Sequence, residues 1–221
     1  MAMAISTKLR EPVSGLSHLA GALLGMLGLV VLIKLALTHG GPRHLVSFTI
    51  FGVTMVATYV TSALYHLLDI SPAGTRRLRR LDHAAIYLFI AGSYTPFCLL
   101  PLHGVWGWSL LVAIWTLAIV GVVMKLFWLE APRWAVVGPY LVMGWAALFC
   151  IVPLVRAMPP AATAWMLAEG LAYSVGAIIY ATKRPDPFPN VFGFHEIWHL
   201  FVIAGSVCHF VAVAGYLVWM N

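Results

Sequence analysis

The chain has 221 residues, of which 62% are apolar and 9% charged, with a formal net charge of +6 and a mean hydropathy of +0.94. These values lie far outside those of soluble proteins, exclude a water-soluble enzyme, and mark an integral membrane protein. The positive charge belongs to topology and to contact with anionic inner-leaflet lipid; no nucleic-acid motif accompanies it.

Seven apolar runs of about 20 residues, the length that crosses a bilayer, lie at Ser17–Thr38, Leu45–Leu68, Asp82–Leu102, Gly107–Trp128, Ala135–Val155, Ala161–Ala181 and Glu196–Met220. They are too long and too evenly apolar for barrel strands, which alternate over about 10 residues. The fold class is all-α: one seven-transmembrane helix bundle with short connections and no soluble domain. Residues 1–16 read as an amphipathic leader and not as a cleavable signal peptide. Cys98, Cys150 and Cys208 sit inside apolar runs and read as buried thiols.

Basic residues set the orientation. Lys8, Arg10, Arg76, Arg77, Arg79, Arg80, Lys125, Arg133, Lys183 and Arg184 gather on one side, against Lys34, Arg43 and Arg156 on the other. Ten against three puts the N-terminus in the cytoplasm and, after seven crossings, the C-terminus outside. The expected location is the bacterial inner (plasma) membrane.

Glu11 and His18 stand seven residues apart, about two helical turns, at the cytoplasmic end of the first helix. Pro12 leaves open whether helix reaches back to Glu11, and a cap with a headgroup-level His is the plain alternative. Gly21, Gly25 and Gly28 suit close helix packing. Ser62 and His66 close the second helix on the same cytoplasmic side. A lone His in a bundle is most often a hydrogen-bonded packing residue, but the Arg-rich loop Asp69–Leu81 leads straight to Asp82 and His83 at the same depth. A carboxylate entering a membrane helix is costly and marks a functional candidate, with pairing to a nearby Arg as the alternative.

A kink is expected at Pro96 in the third helix, and Trp106, Trp108, Trp128 and Trp134 fit interfacial belts. Glu169 lies about two turns from the outer end of the sixth helix, at the wrong depth for a cluster around His195. Lys183–Asn190 is a proline-punctuated loop that delivers the chain to His195.

His195 and His199 then open the seventh helix at i and i+4, where side chains share one face and both imidazoles can reach one metal ion. His195-Glu196-x-x-His199 also matches the metalloprotease helix, with Glu196 as general base. His209 lies ten residues past His199, about 15 Å along a helix, and reads as a bundle-facing, hydrogen-bonded His. The third ligand must come from another helix, and His66 is the best-placed candidate.

Ser62-x-x-x-His66, Leu81-Asp82-His83 and His195-x-x-x-His199, set on seven helices with the N-terminus inside, resemble the hemolysin III branch of the progestin and adipoQ receptor family, related to the alkaline ceramidases. The resemblance runs from Glu11 to the seventh helix. It implies zinc held by His66, His195 and His199 near the cytoplasmic side, with Asp82 engaging the metal through a water. Ser14 stands where relatives commonly have Asn. Glu196 occupies a position where relatives can carry other residues, which argues against the protease-type base.

Three neutral His leave a coordination position open, as catalytic zinc sites do. Zinc lowers the pKa of water to about 7 and a carboxylate such as Asp82 can take its proton, while Ser62 can donate to an oxyanion or make a supporting bond. Two functions follow: a zinc-dependent hydrolase acting on a membrane lipid amide or ester, or a non-enzymatic receptor, sensor or membrane-perturbing protein with a structural zinc. In either, membrane lipid is the substrate or ligand.

Overall fold

The computed structural model describes residues 9–102, 104–189 and 191–220. Lys8 and the rest of the leader before residue 9, Asn190 of the proline-punctuated loop and Asn221 lie outside the described residues.

The fold is all-helical. Helix α1 covers Pro12–His39, α2 Pro42–Leu67, α3 Pro72–Leu99, α4 Gly104–Phe127, α5 Arg133–Gly144, α6 Ile151–Ala157, α7 Pro160–Thr182 and α8 Phe194–Gly215. Among the described residues six helical stretches are long and apolar enough to cross a membrane: α1, α2, α4, the composite 134–157, α7 and 194–219. Their outer faces present Leu23, Leu24, Leu27 and Val30 on α1 and Val112, Ile119 and Val120 on α4, all more than half exposed. An apolar exterior is what a lipid solvent requires.

Three departures from the sequence reading bear on the site. First, α1 begins at Pro12, five residues before Ser17. Proline at the first helical position loses nothing, because the missing N–H would have no intrahelical acceptor there, so Glu11 becomes the N-cap. Second, the Arg-rich stretch after Asp69 is helix and not loop: Ser71 caps α3 by accepting from Gly74 N at 3.3 Å, and Pro72 starts it. Arg76, Arg77, Arg79 and Arg80 mask the first turns of this helix from a hydropathy reading, and Asp82, His83 and the Gly92–Pro96 stretch keep the rest of α3 outside the six apolar stretches. Third, the fifth apolar run is broken at Trp145 into α5, a 3-10 stretch Ala146–Cys150, and α6. Tyr94 on α3 accommodates the break, donating to Gly144 O at 2.7 Å and accepting from Ala147 N at 3.1 Å. Backbone groups freed inside a membrane bundle need such partners.

Sequence neighbours pack together, α1 on α2, α2 on α3, α3 on α4 and α7 on α8, and α1 also leans on α8. Gly21 allows the close approach of α1 to the Tyr59 ring, since a Cβ there would meet Tyr59 Cδ1 at 2.8 Å. The packing of α1 between α2 and α8 brings the end of α2 and the start of α8 together. By contrast α5 rests lightly on α3, α4 and α7. A cavity of about 800 Å³ runs through the bundle along this loosely packed side, lined mainly by apolar groups.

Candidate metal centre

Three imidazoles converge at one end of the cavity. His66 comes from the last turn of α2, His195 and His199 from the first two turns of α8, and one nitrogen from each lies within 4.8 Å of the others. The Nε2 atoms of His66 and His195 are 3.4 Å apart. His66 and His199 are fully buried, His195 partly so. Three such nitrogens in one place can hold a metal ion.

The surroundings fix how two of these rings are turned. His66 donates from Nδ1 to the carboxylate of Glu11, and Glu11 N in turn donates to His66 O at 2.9 Å. His199 donates from Nδ1 to Ser14 O at 3.2 Å, while its Nε2 is buried without a hydrogen-bond partner among the described residues. With Nδ1–H committed to an acceptor, the neutral ring carries its lone pair on Nε2, and that tautomer follows from the partners. Metal-ligating histidines are held in this way, by an acceptor on the second nitrogen. An orphaned buried nitrogen is costly in a bundle that has nothing else to offer it, and the neighbouring imidazoles turn that orphan into a donor set.

The start of α1 wraps this cluster. Ser14 donates from Oγ to Glu196 Oε1 at 2.6 Å, and Gly193 N donates to Glu196 Oε2 at 2.8 Å. Both Glu196 oxygens are thereby engaged in fastening the first turn of α8 to α1. His18 stacks on His199, contacts the edge of Tyr59, and holds Ser62 Oγ at 2.7 Å through Nδ1. Arg10 lies over the Tyr65 ring, 4.2 Å from its centroid, and reaches Glu11 at 3.4 Å. The Glu11 carboxyl, outside the helices, is held below its ordinary value by the hydrogen bond from His66, with Arg10 adding to the effect.

Asp82 and Ser62 share the cavity wall with His66 and His195. Asp82 is buried and close enough to His66 and Ser62 to interact with both. The structure therefore brings Ser62, His66, Asp82, His195 and His199 to one end of the bundle. Glu169 and His209 lie elsewhere, paired at 2.8 Å. The outward acceptors escaped sequence reasoning: Ser14 acts on His199 through its backbone carbonyl, which no residue type encodes, and only the two-turn spacing of Glu11 and His18 hinted that the first helix takes part.

Comparison with known proteins gives a consistent setting. Residues 6–210 match the family model for haemolysin-III related proteins. The chain is 40% identical over 207 residues to Hemolysin-3 of Bacillus cereus, covering 94% of this chain and 91% of that one. It is 41% identical over 209 residues to the Hemolysin-3 homolog of Bacillus subtilis (strain 168), covering 94% of each. It is also 28% identical over 190 residues to the heptahelical transmembrane protein ADIPOR3 of Oryza sativa subsp. japonica, 73% of this chain and 44% of that one.

Proposed function

We propose, on the premise that this chain belongs to the haemolysin-III related family and through it to the wider progestin and adipoQ receptor family, that it is a zinc-dependent hydrolase of a membrane lipid amide or ester. The observation that carries this reading is the donor set itself: His66 and His199 have Nδ1 tied outward, and the cluster opens on a mainly apolar cavity large enough for a lipid chain. Two imidazole nitrogens bound to one zinc at about 2.0–2.1 Å in tetrahedral geometry stand about 3.3 Å apart, close to the 3.4 Å between His66 and His195. His66, His195 and His199 would hold the ion. Zinc bound there supplies Lewis-acid activation of water at neutral pH.

The protein's own groups do the rest. The Asp82 carboxylate takes a proton from the attacking water and returns it to the leaving amine or alkoxide. When His18 donates from Nδ1 to Ser62, the Ser62 hydroxyl proton is free for Asp82 or for the oxygen that gains charge on the scissile carbonyl. Glu11 and Ser14 keep His66 and His199 from turning. The apolar cavity holds the lipid chain and keeps bulk water out.

In this reading the chain crosses the bacterial inner membrane seven times, with α3 as one crossing and α5 and α6 sharing another. The cytoplasmic N-terminus and the basic residues near the site then face anionic inner-leaflet lipid. A second reading, a metal that only staples α2 to α8 in a receptor or membrane-perturbing protein, draws on the burial of His66 and His199.

The test is to incubate purified, zinc-loaded protein with ceramide and with extracted bacterial lipids and to follow free fatty acid by mass spectrometry. Wild type releases fatty acid and Asp82→Asn does not, although it keeps its zinc by elemental analysis. Wild type that holds zinc and releases nothing across the panel defeats the hydrolase and leaves the stapling role.

A further inference from the structure

We propose that the far end of the same cavity, at Glu169 on α7 and His209 on α8, is a second recognition site, which takes an uncharged hydroxyl carried on the chain of an amphiphile whose head lies at the three-His cluster. The inference rests on the proposed use of the cavity for a lipid, and not on hydrolysis.

Glu169, Tyr173 and His209 line the cavity that also reaches His66, Asp82 and His195. His209 stands ten residues beyond His199 on α8, about 15 Å at 1.5 Å per residue. The two polar ends are therefore one lipid chain apart, with apolar wall between them. His209 is 1% exposed and its Nδ1 is 2.8 Å from Glu169 Oε2. Its Nε2 is buried and has no hydrogen-bond partner among the described residues.

Neighbouring side chains do not fill that need. Phe51 and Phe97 flank the imidazole with ring centroids at 4.4 and 5.2 Å. The nearby hydroxyls are occupied with one another: Tyr59 donates to Ser206 at 2.7 Å, Tyr173 lies 3.1 Å from Ser206, and Ser206 donates to Val202 O at 2.9 Å. A buried polar atom left unpaired in low dielectric is costly, and a site that leaves one open is matched to a ligand or a water.

The chemistry of the pair selects the ligand. A carboxylate and an imidazole in apolar surroundings are least costly with no net charge, so a charged headgroup would enter without compensation. A hydroxyl both donates and accepts, and it satisfies Nε2 whether that nitrogen carries a proton or a lone pair. A plain alkyl chain reaching the same depth leaves the pair as it is. The cavity is thus built to prefer a chain that is hydroxylated far from its head.

Zinc-loaded protein in detergent micelles is incubated with an equimolar mixture of dodecanol and dodecanediol, and the bound species are counted by native mass spectrometry. The diol is expected to exceed the alcohol by about tenfold, the worth of one well-made buried hydrogen bond. The Glu169→Leu, His209→Leu double variant removes both polar partners without orphaning either, and is expected to bind the two equally. Val120→Ala, on the exposed face of α4 and outside the cavity lining, is expected to keep the preference for the diol. A wild-type ratio near one, a preference that survives in the double variant, or a preference lost in Val120→Ala each overturns the proposal. Fatty acid release is measured separately, so a protein that hydrolyses nothing yet prefers the diol retains this site and loses only the hydrolase reading.

Discussion

His18 and His199 stack face to face, with ring centroids 3.7 Å apart and planes 14° from parallel. The contact crosses from α1 to α8, and with His199 Nδ1 bonded to Ser14 O it leaves the His199 ring no freedom to turn. In the proposed reading His18 is thus a positioning residue for the three-His cluster. His18→Ala removes the stack and the partner of Ser62 together, and is expected to cost about 1–3 kcal/mol of stability and to weaken metal retention. His18→Phe restores the stack but not the hydrogen bond, and is expected to recover most of the metal retention. Thermal unfolding with elemental analysis separates the two variants. Equal metal content in wild type and His18→Ala would remove His18 from the site.

Metal content should follow the donor set. His66→Ala, His195→Ala and His199→Ala are each expected to lose the ion and to unfold at lower temperature, because the cluster joins α2 to α8. Glu196→Gln is expected to keep the metal, since Glu196 is engaged with Ser14 and Gly193 N. If Glu196→Gln loses metal as completely as His199→Ala, the metalloprotease-like role of Glu196 regains ground.

The pH dependence of the metal-free protein should carry the signature of Glu11. Its carboxyl sits below the ordinary value of 4.5 because His66 donates to it. A depressed folded value means that the unfolded chain binds more protons. The stabilisation is therefore present above 4.5 and is lost as pH falls through the lower folded value. Thermal unfolding across acidic pH is expected to show Glu11→Gln less sensitive than wild type in that window. Superimposable profiles would mean that the contact contributes nothing to folding.

Much of this was legible in the sequence, and the parts that were not share a cause. Apolar runs announce membrane helices because the bilayer fixes their length, and an i, i+4 His pair announces a ligand face because the helix fixes its geometry. The onset of α3 at Pro72 was hidden because Arg76, Arg77, Arg79 and Arg80 lower the hydropathy without opposing the helix. The break at Trp145 was hidden because it depends on Tyr94, some 50 residues earlier in the chain, satisfying the freed backbone. His195, His199 and His66 were readable as a set. Ser14 O, His18 on His199, and Glu169 on His209 are separated by 185, 181 and 40 residues, and no local pattern joins them.

Orientation can be tested at the chain ends. Ten basic residues on one side against three on the other predict a cytoplasmic N-terminus. A reporter fused after Asn221 is expected to be active only outside the cytoplasm. Cytoplasmic activity of that fusion would reverse the site to the outer leaflet and with it the lipid pool that it meets.

Lys125 supplies the last prediction. Its side chain is buried near the end of α4, and Nζ has no hydrogen-bond partner among the described residues. One turn earlier Gly121 packs against the Tyr87 ring, and one turn back along the antiparallel α3 stands His83, whose Nδ1 is also without a hydrogen-bond partner among the described residues. A buried ammonium without a hydrogen-bond acceptor carries a desolvation cost that the attraction of Glu130 offsets only in part. Methionine has a similar length and no polar atom, so Lys125→Met is expected to leave the fold intact and to raise the unfolding temperature or leave it unchanged. It is also expected to leave metal content as it was, because Lys125 does not line the cavity. A drop in unfolding temperature of several degrees, measured in the same detergent, would show that Lys125 Nζ has an acceptor in the membrane, such as a lipid headgroup oxygen, and that the cation is there to meet it.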